Sequence, residues 1–95
     1  MQLVFSKKAL ADLKQIHEYS LINWSLQQAD QYYFQLIDTC KNLLDFPKLG
    51  KHYSKLSRKP FGYKVAKHVV FYKIVGKEIR VIRILHESMD LKKAI

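Results

Sequence analysis

The feature that most constrains the fold is the stretch from residue 61 to residue 86, FGYKVAKHVVFYKIVGKEIRVIRILH, which is dense in Val, Ile, Tyr and Phe. β-Branched and aromatic residues favour strands, and one clear turn signal, Gly76-Lys77, interrupts the stretch. We predict three strands, at residues 61–66, 68–75 and 78–85. Short connections place consecutive strands side by side, so these three form an antiparallel meander.

The first part of the chain has helical periodicity. Residues 2–5 form a short β-prone segment that leads into Ser6, a good N-cap residue for the following KKALADLKQIHEYS. One stripe of this helix is small or apolar: Ala9, Leu13, Ile16 and Ser20, with Leu10 beside it. The charged side chains are predicted to point elsewhere: Lys7, Lys8, Asp12, Lys14 and Glu18.

A second helix is predicted to begin after Ser25, with Gln28 as a capping-box partner, and to end before Pro47 after about 20 residues. Its buried stripe repeats at spacings of four and three: Ala29, Tyr33, Leu36, Cys40 and Leu43. The two helices therefore form a tight hairpin. Cys40 is the only cysteine and lies on the buried stripe, which predicts a structural thiol and no internal disulfide.

These elements predict one α+β domain over residues 1–95, in the order β-α-α-β-β-β, with the helical hairpin packed on one face of a small antiparallel sheet. Strict alternation in the last strand divides its side chains between two faces: Ile79, Val81, Arg83 and Leu85 on one, and Arg80, Ile82, Ile84 and His86 on the other. Both faces are mostly apolar, so the face away from the helices needs a cover. The C-terminal DLKKAI or another molecule would supply it.

The charge of the chain favours anionic partners. It has 17 Lys and Arg against eight Asp and Glu, a net charge of +9. Nucleic acid, an acidic protein segment and an anionic membrane surface all fit this sign. The loop at residues 48–59, KLGKHYSKLSRK, is basic and contains no acidic residue. No secretory signal and no membrane-spanning stretch is recognisable, which predicts a cytosolic protein.

Standard catalytic motifs are absent. The three glycines stand alone, and HESMD at residues 86–90 lacks the second histidine of a zinc-protease helix, so neither a metal site nor a cofactor is predicted. His86, Arg83, Arg58 and Tyr72 are candidates for an RNA-cleaving site, in which a histidine exchanges protons and arginines hold phosphate. The alternative interpretation is that His86 closes a strand and makes local hydrogen bonds.

Several segments resemble the ParE branch of the RelE/ParE superfamily of type II toxin-antitoxin toxins. They are the first-helix sequence SKKALADLKQIHEYS, the corner LLDFPKLGK, the strand HVVFYK and above all RILHESMD, which is the most specific of them. The order of elements is similar too, and the resemblance covers nearly the whole chain.

This resemblance implies a small bacterial toxin of the cytosol that a cognate antitoxin, encoded beside it, neutralises. ParE-like members trap DNA gyrase on cleaved DNA and are not nucleases, and they meet DNA only through gyrase or the antitoxin. RelE-like members cut mRNA in the ribosomal A site. The RelE active site has a C-terminal Tyr, whereas the last ten residues here contain none. The expected function is gyrase inhibition without catalysis, and the alternative is a ribosome-dependent endoribonuclease.

The abrupt change from strand to polar turn at His86 predicts a target-facing surface. Its predicted members are Arg58, Lys59, Arg83, His86, Glu87, Ser88, Met89 and Asp90. The alternative for the end of this segment is structural, with Met89 folded back into the core and Asp90 capping a helix that starts in DLKKAI.

Overall fold

The computed structural model describes all residues 1–95, and it confirms the α+β class and the helical hairpin on one face of a sheet. The elements are β1 (Gln2–Phe5), α1 (Lys7–Asn23), α2 (Leu26–Asp45), β2 (Lys51–His52), β3 (Phe61–Val65), β4 (His68–Val75), β5 (Glu78–His86) and α3 (Leu91–Ala94). The two-residue strand β2 and the helix α3 add to the predicted order. No helix combines the length and the apolar character that a membrane span requires.

The five strands form one sheet in the order β1-β5-β4-β3-β2. β3, β4 and β5 are the predicted antiparallel meander. β1 pairs with β5 in parallel, so the sheet is mixed and not purely antiparallel. A parallel neighbour requires a long crossover, which here includes both long helices.

Both long helices begin at the predicted caps. The Ser6 hydroxyl accepts from the Ala9 N–H at 3.0 Å, and the Ser25 hydroxyl accepts from the Gln28 N–H at 3.1 Å. The main core lies between the hairpin and the sheet and includes Leu13, Leu36, Cys40, Leu43, Val70, Tyr72, Ile79, Val81 and Ile84. Cys40 is fully buried, as predicted for a structural thiol, and this burial raises its pKa to about 12.

A β-bulge in β5 overturns the predicted alternation. Tyr72 lies opposite Val81 and Phe71 lies opposite Arg83, so Ile82 has no residue opposite it. One extra residue reverses the facing of every later side chain. Ile84 therefore joins the core under the helices, and Leu85 lies in the core on the other face, the reverse of what strict alternation predicts.

The second face of the sheet is covered by the chain itself. Val69, Phe71, Ile82 and Leu85 form a smaller core there. Its cover comes from the C-terminal segment and the basic loop together: Leu91, Ala94 and Ile95 from the former, Tyr53 and Leu56 from the latter. The predicted need for a cover is thus met within the molecule.

Asp12 was predicted to point away from the core, and this was wrong. β1 ends at Phe5, so the next part of β5 has a free edge, and α1 runs along it. Asp12 is 7 % exposed; its carboxylate accepts from the Arg83 Nε at 2.8 Å, from the Arg83 Nη2 at 2.9 Å and from the Ile84 N–H at 2.9 Å. It lies three residues after Ala9 and four before Ile16, which places it on the inward side of the helix.

We expect Asp12→Asn to lower the free energy of unfolding by roughly 2–3 kcal/mol, because the change leaves the partly buried Arg83 without its counter-charge. Chemical denaturation measures the effect. Asp45→Asn, which neutralises an exposed acid at the end of α2, is the matched control and should change stability by less than about 0.5 kcal/mol. Equal stability of the two variants would contradict a structural role for Asp12.

Candidate functional site

Three ring side chains meet at the end of the sheet where β5 finishes. His68, the first residue of β4, lies opposite His86, the last residue of β5, and their ring centroids are 5.3 Å apart in an edge-on arrangement. The Tyr32 hydroxyl on α2 lies 2.6 Å from His68 Nδ1. We call Tyr32, His68 and His86 the histidine cluster.

The hydrogen bonds of the histidine cluster indicate which ring nitrogen of His68 carries the proton when the ring is neutral. The Tyr32 hydroxyl donates to the Val65 carbonyl at 3.1 Å, so His68 carries its proton on Nδ1 and donates it to the Tyr32 oxygen. Burial, and secondly the neighbouring His86, lowers the pKa of His68, and burial raises the pKa of Tyr32. Both groups are therefore uncharged near neutral pH.

His86 makes the local hydrogen bonds that the alternative interpretation describes. Its Nδ1 accepts from the Ser88 N–H at 3.1 Å and lies 2.7 Å from the Ser88 hydroxyl. Its backbone carbonyl accepts from the Met89 N–H at 3.0 Å. Since Nδ1 is an acceptor, the neutral ring holds its proton on Nε2. That atom remains for a partner.

Of the structural alternative for the 86–90 turn, the helix cap at Asp90 is present, but the burial of Met89 is not. Met89 is 48 % exposed, so it does not fold into the core. Asp90 accepts from the Lys92 N–H at 3.1 Å and caps α3. Glu87 makes a 2.8 Å ion pair with Lys64 at the surface, which lowers the pKa of Glu87 and raises that of Lys64.

The two candidate arginines line one shallow groove of about 210 Å³, together with Lys7, Lys8 and the C-terminal residues. Arg83 is largely occupied there: besides its two bonds to Asp12, its Nη1 donates to the Ala94 carbonyl at 3.0 Å. Arg58 is exposed and has a φ of 67°, and the exposed Lys59 has a φ of 46°. The loop thus presents two cations to solvent, and Arg83 lies in the same groove as Arg58.

Tyr72 lies in the main core, away from the other candidates. It is fully buried; its hydroxyl donates to the Pro47 carbonyl at 2.8 Å and accepts from the Gly50 N–H at 2.9 Å. Burial raises its pKa. His86 is opposite His68, four residues and about 13 Å along β4 from Tyr72. The structure therefore brings Arg58 and Arg83 together but does not join them to Tyr72 and His86 as one set.

Sequence reasoning did not single out Tyr32 and treated His68 as a turn residue. If β4 and β5 paired regularly from the turn at Gly76-Lys77, without a bulge, His68 would lie opposite Leu85. Only the extra residue at Ile82 moves His86 into register with it. No local sequence signal marks that bulge, so the histidine cluster could not be found from the sequence.

Comparisons with known proteins agree with this geometry. Residues 3–91 match the family model for the ParE toxin of the type II toxin-antitoxin system parDE. The chain belongs to the ParE toxin family. Toxin ParE1 of Caulobacter vibrioides is 36 % identical over 90 residues, covering 92 % of this chain and 90 % of the relative. Toxin ParE1 of Mycobacterium tuberculosis is 26 % identical over 91 residues, covering 95 % and 93 %.

The fold is that of a solved structure described as the chromosomal ParDE TA system from P. aeruginosa. The TM-score is 0.79 at 20 % identity, over 90 % of this chain and 95 % of that one. The ParE resemblance noted in the sequence is thereby confirmed, as is the fold class.

We expect the protein to lose stability as the pH falls below 6.5. Burial makes the folded state disfavour the charged form of His68, so the unfolded chain, with its ordinary pKa of 6.5, binds the proton more readily. The free energy of unfolding, measured from pH 7.5 to about 5, should therefore decline with acidification. This range lies above the ordinary Glu pKa of 4.5, so Glu87 stays ionised throughout.

His68→Gln should flatten that decline, because glutamine retains a hydrogen-bond donor for Tyr32 but does not titrate. His52→Gln is the matched control, since His52 is an exposed loop histidine. A His68→Gln protein with the same pH dependence as the wild type would contradict the assignment.

Proposed function

We propose that this member of the ParE family is a toxin that inhibits DNA gyrase in the bacterial cytoplasm, and that its cognate antitoxin neutralises it. The observation that carries the proposal is the separation of the groups that a nuclease would need. Tyr72 is buried in the core, Arg83 is bound to Asp12, and His86 lies at the end of the sheet. A binding toxin requires none of them to act together.

The chemistry of RNA cleavage explains why this separation matters. In-line attack needs a base for the 2′-hydroxyl, an acid for the leaving oxygen and cations for the developing phosphorane, all within hydrogen-bond reach. His86 has a free nitrogen, whereas the neighbouring His68 is half-buried and bonded through Nδ1 to Tyr32. The histidine nearest to Arg58 and Lys59 is His52, and its Nε2 is bonded to the Lys59 carbonyl at 3.2 Å. The ribosome-dependent nuclease is therefore the second candidate.

The proposed target surface consists of Arg58, Lys59, Arg83, His86, Glu87, Ser88, Met89 and Asp90. Arg58, Lys59 and Met89 are exposed and free to contact a partner. Arg83 acts indirectly, because its bonds to Asp12 and Ala94 hold the end of β5 against the C-terminal segment. Asp90 contributes by capping the helix that follows the turn.

We expect purified protein to inhibit gyrase supercoiling and to increase cleaved gyrase-DNA complexes, without cutting mRNA on translating ribosomes. A supercoiling assay and primer extension on a translated message give the two readouts. Met89→Ala should weaken gyrase inhibition about tenfold with an unchanged melting temperature. Val75→Ala, another exposed apolar residue outside the proposed surface, is the control. Codon-positioned cleavage that disappears in His86→Ala, with supercoiling untouched, would establish the nuclease instead.

The partner proposed for neutralisation is an acidic, partly disordered antitoxin segment. A net charge of +9 steers such a segment electrostatically, and the solved relative is described as a ParDE system, which supports an antitoxin of the ParD kind. Docking such a segment over the exposed cations of the target surface would block access to gyrase. Gyrase and antitoxin would then compete for the same exposed cations of the toxin.

We expect the association rate of toxin and antitoxin to fall about tenfold between roughly 50 mM and 500 mM salt, because screening removes long-range steering. The dissociation rate should change less, since apolar contacts hold the formed complex. Rapid-mixing fluorescence on the two purified proteins measures both rates. An association rate that does not respond to salt would eliminate the electrostatic part of the proposal.

A further inference from the structure

The charges of this chain are strongly segregated. Residues 15–40, which form the second half of α1 and most of α2, contain no Lys or Arg and three acids: Glu18, Asp30 and Asp38. The remaining 69 residues contain all 17 Lys and Arg with five acids, a net charge of +12. A protein with nine excess positive charges thus has one weakly acidic region, and that region is the helical hairpin.

The tip of the same hairpin exposes large apolar side chains. Tyr19, Trp24 and Leu26 are each more than 60 % exposed, and Ile22 is 83 % exposed. Tyr19 and Trp24 contact each other edge to face at 6.4 Å. We call these four residues, with Glu18 beside Tyr19 and the exposed Asp38 about 18 Å further along α2, the hairpin surface. Exposed apolar side chains that lie together in this way are typical of interaction sites.

The backbone at the tip of the hairpin is held by hydrogen bonds before any partner binds. The buried Ser20 donates its hydroxyl hydrogen to the Ile16 carbonyl, and the Trp24 N–H donates to the Ser20 carbonyl. The Ser25 hydroxyl caps α2 at once afterwards. Trp24 is therefore held in the short connection between two capped helices, and binding through it costs little conformational entropy.

Charge selects the kind of partner that this surface fits. Nucleic acid is excluded because the surface offers no cation for phosphate. An acidic antitoxin segment is repelled by Glu18 and Asp38 and attracted to the rest of the molecule. A cationic protein surface fits, because the acids pair with its Lys and Arg, and the exposed rings of Tyr19 and Trp24 accept cation–π contacts.

We infer that the hairpin surface binds a cationic, DNA-contacting protein surface of the target, while the basic remainder of the toxin faces the DNA. This inference rests on the proposed gyrase function. Any enzyme that holds DNA presents Lys and Arg to the phosphates. At the edge of the bound DNA, a cationic protein surface therefore lies directly beside the anionic DNA, along one boundary. A toxin with an acidic, aromatic hairpin and a basic body is complementary to both sides of that boundary.

The test compares binding to gyrase without DNA, binding to DNA alone and binding to the antitoxin. The double variant Ile22→Ser with Trp24→Ser should lose at least about tenfold in affinity for DNA-free gyrase, since a central Trp carries a large share of such contacts. Its affinities for DNA and for the antitoxin should match those of the wild type. Val75→Ser is the control for an exposed apolar change.

A charge variant tests the electrostatic half separately. Glu18→Lys with Asp38→Lys should weaken binding to DNA-free gyrase and strengthen binding to DNA, whereas Asp45→Lys, outside residues 15–40 on the same helix, should leave gyrase binding unchanged. Melting temperatures and antitoxin affinity verify that each variant is folded.

The outcomes distinguish this inference from the function on which it rests. If the wild type inhibits supercoiling and the serine variant inhibits it equally well, the hairpin inference is wrong and the gyrase function stands. If the antitoxin loses as much affinity as gyrase, the antitoxin is the occupant. A concentration-dependent dimer that the serine variant abolishes would identify a second copy. A wild type without effect on gyrase would overturn both proposals.

Discussion

The carboxylate of Asp12 bonds α1 to β5 just beyond the point where β1 ends. β1 is four residues long and covers β5 only as far as Val81. The bulge at Ile82 follows at once, and it leaves backbone groups without ladder partners. Asp12 accepts the Ile84 N–H, and the Ser6 hydroxyl donates to the Ile82 carbonyl at 2.8 Å, so α1 replaces the missing part of β1. Arg83 neutralises the carboxylate that does this and extends the connection to the C-terminal segment.

Much of the fold could be predicted because it depends on local patterns. The Ser6 and Ser25 caps, the helical stripes and the turn at Gly76-Lys77 each act within a few residues, and the structure retains them, although Leu10 beside the first stripe is exposed. The errors arose where distant residues decide. The bulge depends on packing across both faces of the sheet, and it exchanged the faces on which Ile84 and Leu85 were predicted to lie. Burial of Asp12 depends on a strand edge 72 residues further along the chain.

The candidate site was harder to predict than the fold for the same reason. Residue types that are suited to catalysis are common, but their meeting depends on register and on burial. Tyrosine is a residue type that can transfer protons in RNA cleavage, yet the Tyr72 hydroxyl is bonded to the Pro47 carbonyl and the Gly50 N–H. Any side chain at Gly50 would bring a carbon within 2.8 Å of that hydroxyl, so the pair fixes the entry into the basic loop. Members of one fold can therefore differ in function through a few side chains.

The position of β5 between β1 and β4 has a consequence for the order of events during synthesis. β5 is the last strand to be translated, yet it is the one that both β1 and β4 pair with. The helical hairpin and β1 leave the ribosome first, but the core that covers their apolar stripes is incomplete until Ile79, Val81 and Ile84 of β5 arrive. The decisive contacts span about three-quarters of the chain, and such long-range contacts form slowly. The helical hairpin consequently lacks part of its sheet until synthesis is nearly complete, and the proposed target surface is assembled last.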